Sequence, residues 1–145
     1  MSRSNRLGRD QLCALIPHAG SMCLLEAVEQ WDEEHIVCRA TSHRDPGNPL
    51  HERGRVPAVA GIEYAAQAMA VHGGLLRGDD EAPARGYIAA VRDVAWSVER
   101  LDDIACEITV QARRLMGDAR SFVYEFELTA GPDRLLGGRA TVLLS

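Results

Sequence analysis

Arg55–Leu76, RVPAVAGIEYAAQAMAVHGGLL, is long, apolar and rich in alanine, and how it folds decides what the rest of the chain must do. Ala, Met, Gln and Glu are good helix formers. Pro57 suits a first helical turn, where its missing N–H costs nothing. Gly73 and Gly74 are natural stop residues. The pattern predicts a helix running roughly from Pro57 to Val71. Its small side chains let strands approach closely on more than one side, so a buried central helix is expected. Glu63 is the one acidic residue in the stretch, and Gln67 lies one turn on, on the same face. Burying a carboxylate costs several kcal/mol of solvation. Glu63 therefore either faces water or serves as an acid or base in an apolar cleft. Gln67 either orients such a group, binds a ligand oxygen, or fills surface.

Working outward toward the N-terminus, the loop before this helix reads HRDPGNPLHERG over His43–Gly54, polar and proline-rich. Loops this long without a pattern are often functional. Before it, His35–Ser42 alternates Ile36, Cys38 and Ala40 with Val37, Arg39 and Thr41, which marks a strand. Asp32–Glu34 reads as a charged hairpin turn, and Glu26–Asp32 as an extended segment. Met22–Leu25 reads as a short buried strand behind a constrained turn, Pro17–His18–Ala19–Gly20. Asp10 is expected to cap a short helix, Gln11–Leu15, ended by Pro17.

On the other side of the helix, Asp79–Pro83 is a surface connection. Gly86–Val98 reads as a strand that bends at Arg92–Asp93. Ile104–Ala112 alternates Ile104, Cys106, Ile108 and Val110 inward. Ser121–Thr129 does the same with Phe122, Tyr124, Phe126 and Leu128. Met116–Asp118 and Gly131–Asp133 are turns, and Gly138–Leu144 closes with a strand. One antiparallel sheet then has one large helix to cover, an α+β arrangement in a single domain over 1–145.

Composition narrows the function. A hydrophobic content of 46% in 145 residues supports a core without metals or disulfides. The net charge of -5 disfavours non-specific nucleic-acid binding. The opening MSRSNRLGRDQL has no apolar core of a signal peptide, and no run is long and apolar enough for a membrane span. A cytoplasmic location is expected. Cys13, Cys23, Cys38 and Cys106 form no CxxC pair, so reduced, mostly buried thiols are expected and no zinc knuckle. No phosphate-binding glycine loop is present.

The motifs Leu15–Ile16–Pro17–His18 with Met22–Cys23–Leu24–Leu25–Glu26, and Gly61–Ile62–Glu63–Tyr64–Ala65–Ala66–Gln67–Ala68, resemble those of hotdog-fold 3-hydroxyacyl-[acyl-carrier-protein] dehydratases. The nearest resemblance is to the aryl polyene biosynthesis branch, and it covers most of the chain. It implies a hotdog fold, an antiparallel sheet wrapped around a long central helix. It implies dehydration of carrier-protein-bound 3-hydroxyacyl thioesters to trans-2-enoyl thioesters. The acyl chain would lie in a tunnel at a dimer interface, with residues from both subunits and no cofactor or metal. The helix carboxylate of the family falls on Glu63 and the proline before the helix on Pro57. The family's loop histidine would fall on Pro49. The nearest histidine is His51, with His18 in the Pro–His–Ala–Gly turn as the other candidate. Gly61 and Ile62 lie where backbone N–H groups at a helix N-terminus can meet a developing enolate oxygen. Arg53 and Arg55 either meet a phosphopantetheine phosphate or acidic carrier-protein residues, or solvate the loop. The partner expected is an acyl carrier protein with a phosphopantetheine-linked substrate. The assembly expected is a homodimer, or a heteromer with a second hotdog dehydratase. In aryl polyene clusters two such proteins associate, and this chain resembles the one with the less standard site. A hotdog thioesterase and a non-catalytic partner subunit are the alternatives.

Overall fold

Strand-forming sequence on both sides of one alanine-rich segment gives a sheet with a helix across it. A computed structural model describes residues 6–16, 22–77, 86–118 and 120–144. The elements are α1 (Arg9–Cys13), β1 (Ala27–Trp31), β2 (His35–Ala40), α2 (Gly61–Arg77), β3 (Gly86–Trp96), β4 (Ile108–Gly117), β5 (Ser121–Ala130) and β6 (Asp133–Leu144). The strands form one six-stranded sheet in the order β1-β2-β4-β5-β6-β3, antiparallel throughout. The helix α2 lies across β2, β4 and β5.

The period-two reading sets the inner face. Ile36, Cys38 and Ala40 on β2, Ile108, Val110 and Ala112 on β4, and Tyr124, Phe126 and Leu128 on β5 are all buried beneath α2. From α2 itself Tyr64, Ala65, Ala68, Met69 and Val71 meet them. Burying this much apolar area is the main force that holds helix to sheet, at about 25 cal/mol per Å² removed from water. Gly138 sits opposite Phe126 in the register. An added methyl there would stand 3.1 Å from the Phe126 ring and 3.0 Å from Val94, so the missing side chain is what lets β3 and β5 close over it. β3 bends as expected: Asp93 has a φ of 57°, and the pairing with β6 slips between Arg92 and Ala95.

Several boundaries differ from the sequence reading. α2 is entered through a 3-10 turn, Ala58–Ala60, with Pro57 just before it. It does not stop at Gly73 and Gly74 but runs to Arg77. Gly74 is used for packing, since Leu15 lies where a side chain would go, 3.3 Å from the site of a Cβ. Gly8 stands at the N-cap of α1, its N–H donating to the Gln11 side chain, and Asp10 sits inside the first turn. Cys23–Leu25 is a buried strap without strand pairing, and Met22 at its start is exposed. β4 starts at Ile108, leaving Ile104 half-buried and Cys106 exposed, and β6 starts already at Asp133 after the tight Gly131–Pro132 turn. The expected all-reduced cysteines are also corrected: Cys13 and Cys23 form a disulfide that ties α1 to the strap. The surface connection Asp79–Pro83 lies outside the described residues.

Candidate functional site

Glu63 sits in the first turn of α2, at the positive end of the helix dipole. It is exposed, and its carboxylate has no hydrogen-bond or ion-pair partner among the described residues. The single chain does not enclose it. Its neighbours along the same stripe of the helix are telling. Val59, Glu63, Ala66, Ala70 and Gly73 recur at helical spacing, and all are exposed or half-exposed. A helix face meant for water carries charges. This one is apolar and small, with one carboxylate near its start.

The sheet side of the same turn is closed. Gly61 is buried against β5 and β6, where a Cβ would come within 3.0 Å of Leu128 and 3.5 Å of Leu136. Its missing side chain therefore serves helix–sheet contact. Ile62 is half-buried. Pro57 makes an isolated bridge with Arg100, and the Ala58 N–H donates to the Glu99 carbonyl at 3.0 Å. These contacts fix the entry of α2. Both ends of the Gln67 amide are taken up by the strap: its Oε1 accepts from the Leu24 N–H at 2.8 Å, and its Nε2 donates to the Met22 carbonyl at 2.5 Å. Gln67 is a structural clamp and not a free ligand group.

The loop before α2 is more ordered than its composition suggests. Ser42–Arg44 forms a 3-10 turn, and the His51 N–H donates to the Asn48 carbonyl. His51 itself is half-exposed. Glu52 and Arg55 exchange two backbone hydrogen bonds across Arg53 and Gly54, both with positive φ, which is a tight two-residue turn with Arg53 and Arg55 exposed on it. His43, by contrast, is fully buried. Its Nε2–H is shared by the carbonyls of Ile104 and Cys106, at 3.1 and 3.0 Å, and Nδ1 has no partner. Burial holds the ring below the usual histidine range, so it is neutral. His72 is likewise buried and bonded on both nitrogens. His18 lies outside the described residues. Among the described residues no three His, Cys, Asp or Glu side chains are grouped to hold a metal.

A buried polar knot was not anticipated from the sequence. The Tyr64 hydroxyl lies 2.8 Å from Ser42 Oγ and 3.0 Å from Asn48 Nδ2. The signal for it was a tyrosine inside an alanine-rich buried helix, because a buried phenol needs a partner. An open groove of about 640 Å³ on the outer face of the sheet, bordered by His35, Arg113, Glu125 and Arg139, takes none of the candidate residues.

With the geometry in hand, comparison with known proteins decides the family. A model of the ApeP-like family, described as ApeP dehydratase, matches residues 11–144. The chain belongs to the ApeP-like dehydratase family. No curated protein sequence matches it. Among solved structures, this ApeP-like chain is similar to the dehydratase heterocomplex ApeI:P from Xenorhabdus doucetiae. The identity is 27% and the TM-score 0.83, over 96% of this chain and 91% of that one. A thioesterase from Pseudomonas aeruginosa has 16% identity and a TM-score of 0.67, over 95% and 94% of the two chains. A thioesterase from Haemophilus influenzae has 12% identity and a TM-score of 0.66, over 100% and 95%. The last two show the fold alone, an α+β hotdog. Among the described residues of the ApeP-like chain, no helix is long and apolar enough to cross a membrane.

Proposed function

We propose that this ApeP-like chain is one half of a dehydratase that converts carrier-bound 3-hydroxyacyl thioesters to trans-2-enoyl thioesters and water. The site forms where a second hotdog subunit covers the outward stripe of α2. The observation that carries this reading is that stripe: apolar and small from Val59 to Gly73, with the Glu63 carboxyl near its start. A partner laid on it would exclude water and leave room for an acyl chain beside the carboxyl. The solved structure similar to this chain is a dehydratase heterocomplex, which supports a second hotdog protein as that partner.

In this reading the base is His51, which takes the proton from the carbon next to the thioester carbonyl. Imidazole is suited to that task near neutral pH. Glu63, enclosed by the partner, holds a proton and delivers it to the β-hydroxyl, which leaves as water. The electron pair from the broken C–H bond forms the new double bond. The Gly61 N–H is taken up by carbonyls of the 3-10 turn before it, so the enolate oxygen is stabilised on the way by the positive end of the α2 dipole beside Ile62. Arg53 and Arg55 reach the phosphopantetheine phosphate or the acidic surface of an acyl carrier protein. The reading includes a cytoplasmic location, where cellular thiols can reach the Cys13–Cys23 bond.

The test is an assay of the chain mixed with a second hotdog dehydratase, on a 3-hydroxyacyl thioester, following enoyl formation and free thiol separately. Glu63→Gln and His51→Ala in this chain are each expected to lower the dehydration rate by about 10²-fold or more. Full activity of the mixture with both changes present would make the chain a non-catalytic partner. Free thiol without enoyl product would make it a thioesterase.

A further inference from the structure

The Tyr64 hydroxyl is the meeting point of three segments that otherwise have little in common. Ser42 Oγ donates its one proton to the Leu24 carbonyl at 2.7 Å. The Tyr64 O–H must then donate to Ser42 Oγ, at 2.8 Å. Asn48 Nδ2 has two hydrogens; one goes to Tyr64 Oη at 3.0 Å and the other to the Ser42 carbonyl at 2.8 Å. Asn48 Oδ1 accepts from the Leu50 N–H at 2.7 Å, and the Asn48 carbonyl accepts from the His51 N–H at 3.1 Å. Every donor in the knot has an acceptor. Tyr64 and Asn48 are buried, so the bonds are shielded from water. Burial also pushes the phenol up from its ordinary value, which keeps the donating proton in place.

Tyr64 follows Glu63 in the first turns of α2, and Asn48 is three residues before His51. The knot thus connects the helix turn that bears the candidate acid to the loop that bears the candidate base. A phenylalanine would fill the same core volume but would lose the hydroxyl's bonds to Ser42 and Asn48, the loop's link to this turn of the helix. From this we infer that Tyr64 is a positioning residue, whose hydroxyl sets where the loop over residues 42–51 presents His51 to a substrate beside Glu63. The inference rests on the reading of His51 and Glu63 as base and acid. The strap joins the same knot through Leu24, and Gln67 holds it from the next turn of α2, so the loop is braced against two successive turns of the helix.

The experiment is an activity cycle in the active mixture, with Tyr64→Phe, His51→Ala and the double variant in this chain, and with KM and kcat measured separately. Misplacing a reacting group by a fraction of an ångström to an ångström costs up to about 10²-fold in rate. Tyr64→Phe is therefore expected to lower kcat by about tenfold to a hundredfold with KM within about twofold. In the His51→Ala background the same change is expected to do almost nothing, because the group it positions is gone. Ser42→Ala, which cuts the same link from the loop side, is expected to reproduce the result, and it carries the test if Tyr64→Phe does not fold. Unchanged kcat in Tyr64→Phe, or a loss that persists in full without His51, overturns the positioning role. His51→Ala with full activity overturns the base assignment itself and takes this inference with it, and that arm is read on its own.

Discussion

His72 Nδ1 lies 2.7 Å from the Tyr124 hydroxyl, while the other ring nitrogen lies 2.8 Å from the Asp32 carbonyl. The carbonyl can only accept, so Nε2 carries the proton and Nδ1 accepts from the phenol. Arg114 donates to the same phenol oxygen at 2.9 Å and packs over the Phe122 ring. A helix, the β1–β2 turn and two strands are thus joined through one neutral imidazole.

Tyr124→Phe tests that joint. The ring stays and fills the same space, but Nδ1 of His72 loses its donor and Arg114 its acceptor. A buried group left unpaired costs about 1–3 kcal/mol. The expected outcome is a loss of that size in a urea titration, with an unchanged slope. Stability equal to the parent would mean that water replaces the phenol.

The pH dependence follows from the same ring and from His43. Burial is the first cause that lowers both below the usual histidine range; Arg114 and His35 add to it for His72, and Arg44 for His43. The nearby carboxylates Asp32 and Asp102 oppose it without cancelling it. A depressed folded value means that the unfolded chain binds the protons first. The stability these rings contribute is full above the unfolded value of about 6.5 and is lost as pH falls below it toward the folded values. Melting temperature is expected to be flat above about pH 7 and to fall below about pH 6.5, with His72→Gln showing a shallower fall. An equally steep fall in that variant would assign the dependence to other groups.

Reduction should loosen the N-terminal end. The Cys13–Cys23 bond closes a loop with a sequence separation of 10. Loops of that size are stabilised by about 3 kcal/mol in the chain-entropy account. The strap keeps its hydrogen bonds to Gln67 and Arg9 without the bond, so the fold is expected to survive with a lower melting temperature. Of the remaining cysteines, Cys38 is buried and its thiol is pushed up to about 12, while Cys106 is exposed. Native alkylation without reductant is expected to mark Cys106 alone. Labelling of Cys13 or Cys23 under those conditions would refute the disulfide.

What could be read in the sequence was what repeats locally. Ile36, Cys38 and Ala40, and Tyr124, Phe126 and Leu128, alternate because one face of their strands meets α2, and that period is visible in ten residues. Glu63 stood out because a lone carboxylate in an alanine-rich helix is costly unless it has a use. Contacts between distant positions were not legible. Ser42 and Tyr64 are 22 positions apart, and no spacing rule joins them. Ile104 and Cys106 continue the alternation of β4 in sequence, yet the buried His43 ring takes their carbonyls and the strand begins later. Gly74 looked like a stop because its packing against Leu15 is a tertiary fact. The resemblance implies an enclosed carboxyl, and in the single chain Glu63 is exposed.

The edge at β3 gives the prediction on assembly. β3 is last in the sheet order and pairs only with β6 among the described residues, so its other edge presents free backbone groups. Val91 is 37% exposed and Trp96 54%, both on this strand. An unpaired edge that exposes large apolar side chains on either side of the Arg92–Asp93 bend invites another strand or another subunit. Lysine is the residue that blunts such edges, since pairing would bury its charge. Val91→Lys is therefore expected to convert an associated form to monomer at micromolar concentration, read by light scattering. Its melting temperature, measured at low concentration where the parent is also monomeric, should change little, because a half-exposed side chain contributes little to the core. If Val91→Lys still assembles as the parent does, the partner lies elsewhere. The outward stripe of α2 would then need a different cover, and Val59→Lys, a position 49% exposed at the start of that stripe, is the next change to make.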